Sequence, residues 1–176
     1  MKKSIVLLII FSFVNCKTVQ KVSEKKVDGK VVREYYKTGE LKATGPVEEE
    51  YNKYSNYRKG FWKEFYKNGK LKEEGNFKLD TYTSCCTAGL CEIYYSYKFG
   101  EWSYFYENGK LKAKGIYKIE KKHKETSCEG GTEIEYGNLD NSWIFFNEKG
   151  KEIKPNEKII SEIKKRNILD IWDMSK

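Results

Sequence analysis

The stretch FYKNGKLKEEG, residues 65–75, returns as FYENGKLKAKG, residues 105–115, with 8 of its 11 positions unchanged. A related version, EYYKTGELKATG, occupies residues 34–45, and a worn one, WIFFNEKGKEIK, occupies residues 143–154. Self-similarity of this kind is the mark of a repeat architecture. The turn glycine of each copy, Gly39, Gly69, Gly109 or Gly150, sits between two alternating segments. Asn68-Gly69 and Asn108-Gly109 predict tight hairpins, because both residue types tolerate the positive φ of a two-residue type I′ turn. That turn sets Tyr66 opposite Leu71, Phe65 opposite Lys72, Glu64 opposite Glu73 and Trp62 opposite Gly75. One hairpin is marginal in water, so the copies are expected to stack and bury a shared face.

Alternation along a strand places Trp62, Tyr66 and Leu71 on one face, and Trp102, Tyr106 and Leu111 on the equivalent face of the next copy. The bulky residue opposite each glycine (Val32 with Gly45, Trp62 with Gly75, Trp102 with Gly115) suggests an indole shielding bare backbone. The resulting stripe, Trp62, Tyr66, Trp102 and Tyr106, is the candidate interface, with burial in the core as the competing reading. Glu64 opposite Glu73 is a like-charge pair that this register leaves unexplained.

The pattern Trp-x-x-Phe-Tyr-x-Asn-Gly-Lys-Leu-Lys-x-x-Gly resembles the MORN-repeat variant family, including its bacterial antitoxin-like members. The resemblance spans residues 29–154; it weakens in the fourth copy, where Asn147 replaces the tyrosine. It implies an all-β fold of stacked antiparallel hairpins in an elongated sheet. It also implies protein and sometimes lipid interaction, and it brings no catalytic residues. The function expected is therefore a non-catalytic protein-interaction or scaffold module. An antitoxin- or immunity-like inhibitor of a partner protein is the alternative.

The N-terminal residues have a different grammar. Lys2 and Lys3 precede a short apolar run over residues 5–14, the pattern of an export signal too short to span a bilayer. The run ends at Phe13-Val14-Asn15-Cys16, which resembles a loose lipoprotein lipobox with Cys16 as the lipidated residue. Residues 1–16 then form the signal and residues 17–28 a polar tether. An exported lipoprotein facing the periplasm or the cell surface is expected, held to a membrane by its acyl chains. The formal charge of +8 falls to +6 once Lys2 and Lys3 are removed. Export and the scattering of lysines argue against nucleic acid as a partner.

The other four cysteines, Cys85, Cys86, Cys91 and Cys128, lie between repeat copies. Outside the cytoplasm they suggest two disulfides. The repeat offset brings Cys128 beside the Cys85-Cys86 pair. One of that pair is expected to bond Cys128 and the other Cys91. A thiolate metal site is the competing reading, and it lacks paired Cys-x-x-Cys spacing. The one histidine, His123, sits among lysines. No nucleophile, base and acid assemble into a catalytic pattern, so neither enzyme activity nor a cofactor is expected. After Pro155 the spacing of Ile159, Ile160, Ile163, Ile168, Ile171 and Trp172 predicts a helix over residues 156–173. It starts at Asn156 and serves, within residues 155–176, as a cap on the last hairpin.

Overall fold

The computed structural model describes residues 30–47, 57–165 and 167–170. The signal, Cys16 and the tether lie outside them. The fold is all-β with one short helix near its C-terminus. The elements are β1 (Lys30–Tyr35), β2 (Leu41–Val47), β3 (Gly60–Phe65), β4 (Leu71–Cys86), β5 (Gly89–Phe105), β6 (Leu111–Lys124), β7 (Thr132–Leu139), β8 (Ile144–Phe146), β9 (Glu152–Ile153), α1 (Glu157–Lys164) and β10 (Ile168–Asp170). They form one antiparallel sheet in the order β1-β2-β3-β4-β5-β6-β8-β9, with β7 on β6 and β10 on β5. Up to β7 each strand lies beside its predecessor, as consecutive elements usually do, whereas β8 returns to β6 and β10 to β5.

Each quoted phrase is a hairpin, but its turn differs from the expected one. The Gly69 N–H donates to the Tyr66 carbonyl, and the Tyr66 N–H to the Lys70 carbonyl. Lys67 and Asn68 are thus the central turn residues, and Gly69 follows at φ +77°. This is the three-residue loop in which glycine supplies a left-handed bulge. Phe65 therefore faces Leu71, so the Tyr66–Leu71 and Phe65–Lys72 pairings do not form. A second irregularity between Glu64 and Phe65 restores Glu64 to Glu73 and Trp62 to Gly75. Two one-residue shifts cancel, so the far register matches the two-residue expectation. The same shifts recur at Tyr35–Leu41 and Phe105–Leu111.

The segments between copies are mostly continuations of the strands. Beyond Gly75, β4 continues to Cys86, paired with the first half of β5 in a long ribbon. Beyond Gly115, β6 continues into a second ribbon with β7. The ribbons meet in a tyrosine cluster of Tyr82, Tyr95 and Tyr97 around Ile134. Their tips are tied covalently: Cys85 bonds Cys128 and Cys86 bonds Cys91.

The helix is shorter than its periodicity predicts. Asn156 caps it by accepting from the Ile159 N–H, and Ile163 is buried in the main core. It ends at Lys164, and Ile168 to Asp170 form a strand against Tyr95 to Tyr97. An edge of β5 with backbone groups to satisfy outweighs the helical spacing of Ile168. Ile171 and Trp172 lie outside the described residues. The helix lies over the core face of the sheet, since the Tyr117 hydroxyl donates to the Ile163 carbonyl at 2.7 Å.

Candidate functional site

The repeated residues are spent on the neighbouring hairpin. The ring of Trp62 lies on Gly45, that of Trp102 on Gly75 and that of Trp143 on Gly115. A Cβ on any of these glycines would stand 2.3–2.4 Å from the ring. The shielding runs between hairpins, so Trp62 covers Gly45 and not the Gly75 that it faces in its own hairpin. Each indole N–H donates to the residue after the covered glycine: Trp62 to Pro46, Trp102 to Asn76 and Trp143 to Ile116. Each tyrosine before a turn donates forward, Tyr36 to Phe65, Tyr66 to Phe105 and Tyr106 to Phe146, all at 2.7 Å. Turn residues join in. The Asn68 and Asn108 amides donate to Glu107 and Glu148, and Lys70 and Lys110 reach Asn108 and Lys149. Asn147 replaces the tyrosine in the last copy, where no further hairpin follows among the described residues.

Burial corrects the candidate interface. Trp62 and Trp102 are 1% and 2% exposed and belong to the core. Tyr66 and Tyr106 are half-buried, with their hydroxyls committed between hairpins. Burial pushes the Tyr66 phenol up to about 12, with help from Glu107, Glu162 and Glu73.

The core face also holds charge. Arg58 is 2% exposed, with Nη1 2.6 Å from Glu64 and Nη2 3.2 Å from Glu34. Lys98 is fully buried, with Nζ 3.1 Å from Glu73 and 2.9 Å from the Tyr104 hydroxyl. The opposed carboxylates Glu64 and Glu73 thus have separate cations, which resolves the like-charge pair. Both cations also sit over indoles, Arg58 at 4.2 Å from Trp62 and Lys98 at 4.1 Å from Trp102. Cations bind such ring faces through the quadrupole. From Lys98 a chain of hydroxyls, Tyr104 to Tyr117 at 2.8 Å and Tyr117 to Ile163, reaches the helix. Desolvation holds the Tyr104 phenol well above its ordinary value, and Glu73 adds to the rise.

Sequence reading missed Arg58 and Lys98. Their signal was present: they are 40 positions apart, and each stands four residues before a tryptophan. A cavity of about 310 Å³ beside this cluster is lined by Tyr66, Glu73, Tyr104, Lys112 and Ile163.

The opposite face of the hairpin stack carries exposed apolar side chains: Val31, Tyr35, Phe61, Ile116 and Ile144, at 37–57% exposure. They alternate with core residues such as Val32 and Trp62. Beside Ile116 lies a shallow cavity of about 330 Å³ bordered by Glu101, Ser103, Lys114 and Ser142. His123 is exposed beside Glu125. Among the described residues, no group of three or more His, Cys, Asp or Glu side chains is placed to hold a metal ion.

Residues 60–79 and 100–118 match the family model described as MORN repeat variant. The second and third hairpins are thus similar to MORN-variant repeats. Each matched segment starts at the glycine two residues before a tryptophan, Gly60 or Gly100, and runs past the covered Gly75 or Gly115. No curated protein and no solved structure matches the chain.

Proposed function

We propose that this chain is a non-catalytic interaction module, anchored to a membrane through lipid on Cys16, that holds a protein partner on the outer face of its hairpin stack. One observation carries the reading. The recurring polar groups are consumed between hairpins and the core-face charges pair with one another, while Val31, Tyr35, Phe61, Ile116 and Ile144 remain exposed on one side. Apolar and aromatic side chains set among charged ones are the composition of a protein-binding surface. The repeat type, as a class of interaction module, supports the same reading. Among the described residues no helix is long and apolar enough to cross a membrane. Anchoring is assigned to the segment that ends at Cys16, on its charged start, apolar run and terminal cysteine.

The test has two arms. Cys16→Ala should abolish incorporation of labelled palmitate and move the protein from the membrane to the soluble fraction. Phe61→Glu with Ile116→Glu should remove the partner recovered by crosslinking in intact cells while leaving the fold intact, because both side chains are exposed. Unchanged recovery of that partner would rule out the outer face.

A further inference from the structure

We infer that the disulfide-tied double tip of the two ribbons is a recognition head for a second protein contact, with Leu90 as an anchor for an apolar pocket rimmed by basic side chains. The inference rests on the reading of the chain as an interaction module, but uses a separate surface. The apolar core of the ribbons ends at Tyr82 and Ile134, which are 7% and 3% exposed. The first ribbon continues past it, and residues 85–90 are all exposed. Among the described residues Leu90 is the most exposed large hydrophobic one, at 76%.

A solvated extension of this kind gains little from packing, yet it is held twice. Cys86–Cys91 closes the loop across five positions, and Cys85–Cys128 ties it to the other ribbon across 43. Ser84 adds one polar tie, its hydroxyl accepting from the Ser127 N–H. Restricting a loop in advance lowers the ordering cost at association, so rigidity without a core is suited to display.

Charge is segregated here as well. The chain has 34 lysines and arginines, but residues 84–92 and 125–131 contain none of them and hold Glu92, Glu125 and Glu129. All three carboxylates are exposed. An apolar knob on tips whose exposed charges are carboxylates matches a pocket of opposite rim charge, and such complementarity selects partners and speeds encounter.

The test places a photoreactive benzoylphenylalanine at Ala88 in the full-length chain, in the cells that make it, with a parallel chain carrying it at Phe61. The inference expects one discrete adduct from Ala88. That adduct should fall at least tenfold with Leu90→Ser, fall with Glu129→Lys, and map to a partner peptide holding Lys or Arg beside apolar residues. Both substitutions are at exposed positions, and intact disulfides are checked by non-reducing mass measurement. No Ala88 adduct, an adduct indifferent to both substitutions, or a partner peptide without basic residues would overturn it. An adduct from Phe61 with none from Ala88 would overturn the head and leave the outer-face reading standing. Adducts from neither position would remove both.

Discussion

The indole of Trp102 lies on the backbone of Gly75, one hairpin earlier, so closely that a Cβ there would stand 2.3 Å from the ring. Trp102 is 2% exposed and its N–H is held by the Asn76 carbonyl, so the ring has little room to retreat. Gly75→Ala should therefore cost about 3 kcal/mol or more, as overpacking of a tight core does. Gly69→Ala is the comparison. Its cost comes from a left-handed φ of +77° with open space around the Cβ, and should be about 1–2 kcal/mol. Urea denaturation of the two variants decides; equal losses would mean that the inter-hairpin contact is slack.

Lys98 and Glu73 form a buried pair 3.1 Å apart, with side chains 1% and 11% exposed. Lys98→Met strands a carboxylate in the core and should destabilise by about 3–5 kcal/mol. Adding Glu73→Gln removes the stranded charge, so the double variant should recover part of the loss. A double variant as unstable as the sum of the singles would show that the two groups are not coupled.

Ser96 is fully buried, and its hydroxyl has no hydrogen-bond partner among the described residues. An unpaired buried hydroxyl costs about 1–3 kcal/mol in desolvation. Ser96→Ala should be neutral or raise the denaturation midpoint. A clear loss of stability would reveal a partner for the hydroxyl.

Alkali should open the fold in a defined window. Burial pushes the Tyr66 and Tyr97 phenols up to about 12, and those of Tyr104 and Tyr117 are raised too. The unfolded chain ionises its tyrosines near pH 10. Between that value and the folded ones the unfolded state binds fewer protons, so stability falls as pH rises. The contribution is complete below pH 10 and is lost as pH rises toward 12 and beyond. Phenolate absorbance at 295 nm, followed together with circular dichroism, should show these tyrosines ionising only as the sheet unfolds. Ionisation of all 14 tyrosines near pH 10 with the sheet intact would contradict this.

Acid acts through a different group. Hydrogen bonds from Lys78 and then from Tyr97 hold the Glu135 carboxyl below its ordinary value. Its contribution is present above the unfolded carboxyl pKa and is lost as pH falls through the lower, folded one. Glu135→Gln should flatten the acid limb of the stability profile and, because the Tyr97 hydroxyl donates to Glu135, also lessen the part of the alkaline limb that comes from Tyr97. An unaltered acid limb would remove Glu135 from the account.

Local chemistry was enough to read the hairpins, their far register and the neighbourhood of the cysteines. A turn glycine and an alternating strand act over a few residues, and the 40-residue repeat carries that pattern along the chain. Which hairpin each tryptophan shields was another matter. Gly75 has Trp62 on one side and Trp102 on the other, and only the lean of the side chains between stacked strands selects Trp102. The same holds for Arg58 and Lys98. In the sequence they are two more basic residues in a lysine-rich chain, and they become core groups only when folding sets Glu64 and Glu73 side by side. The helix stopped early because β5 offered Ile168 a strand partner distant in sequence. Periodicity specifies what one segment prefers alone, whereas contacts between segments are decided when their surfaces, charges and unpaired backbone groups meet.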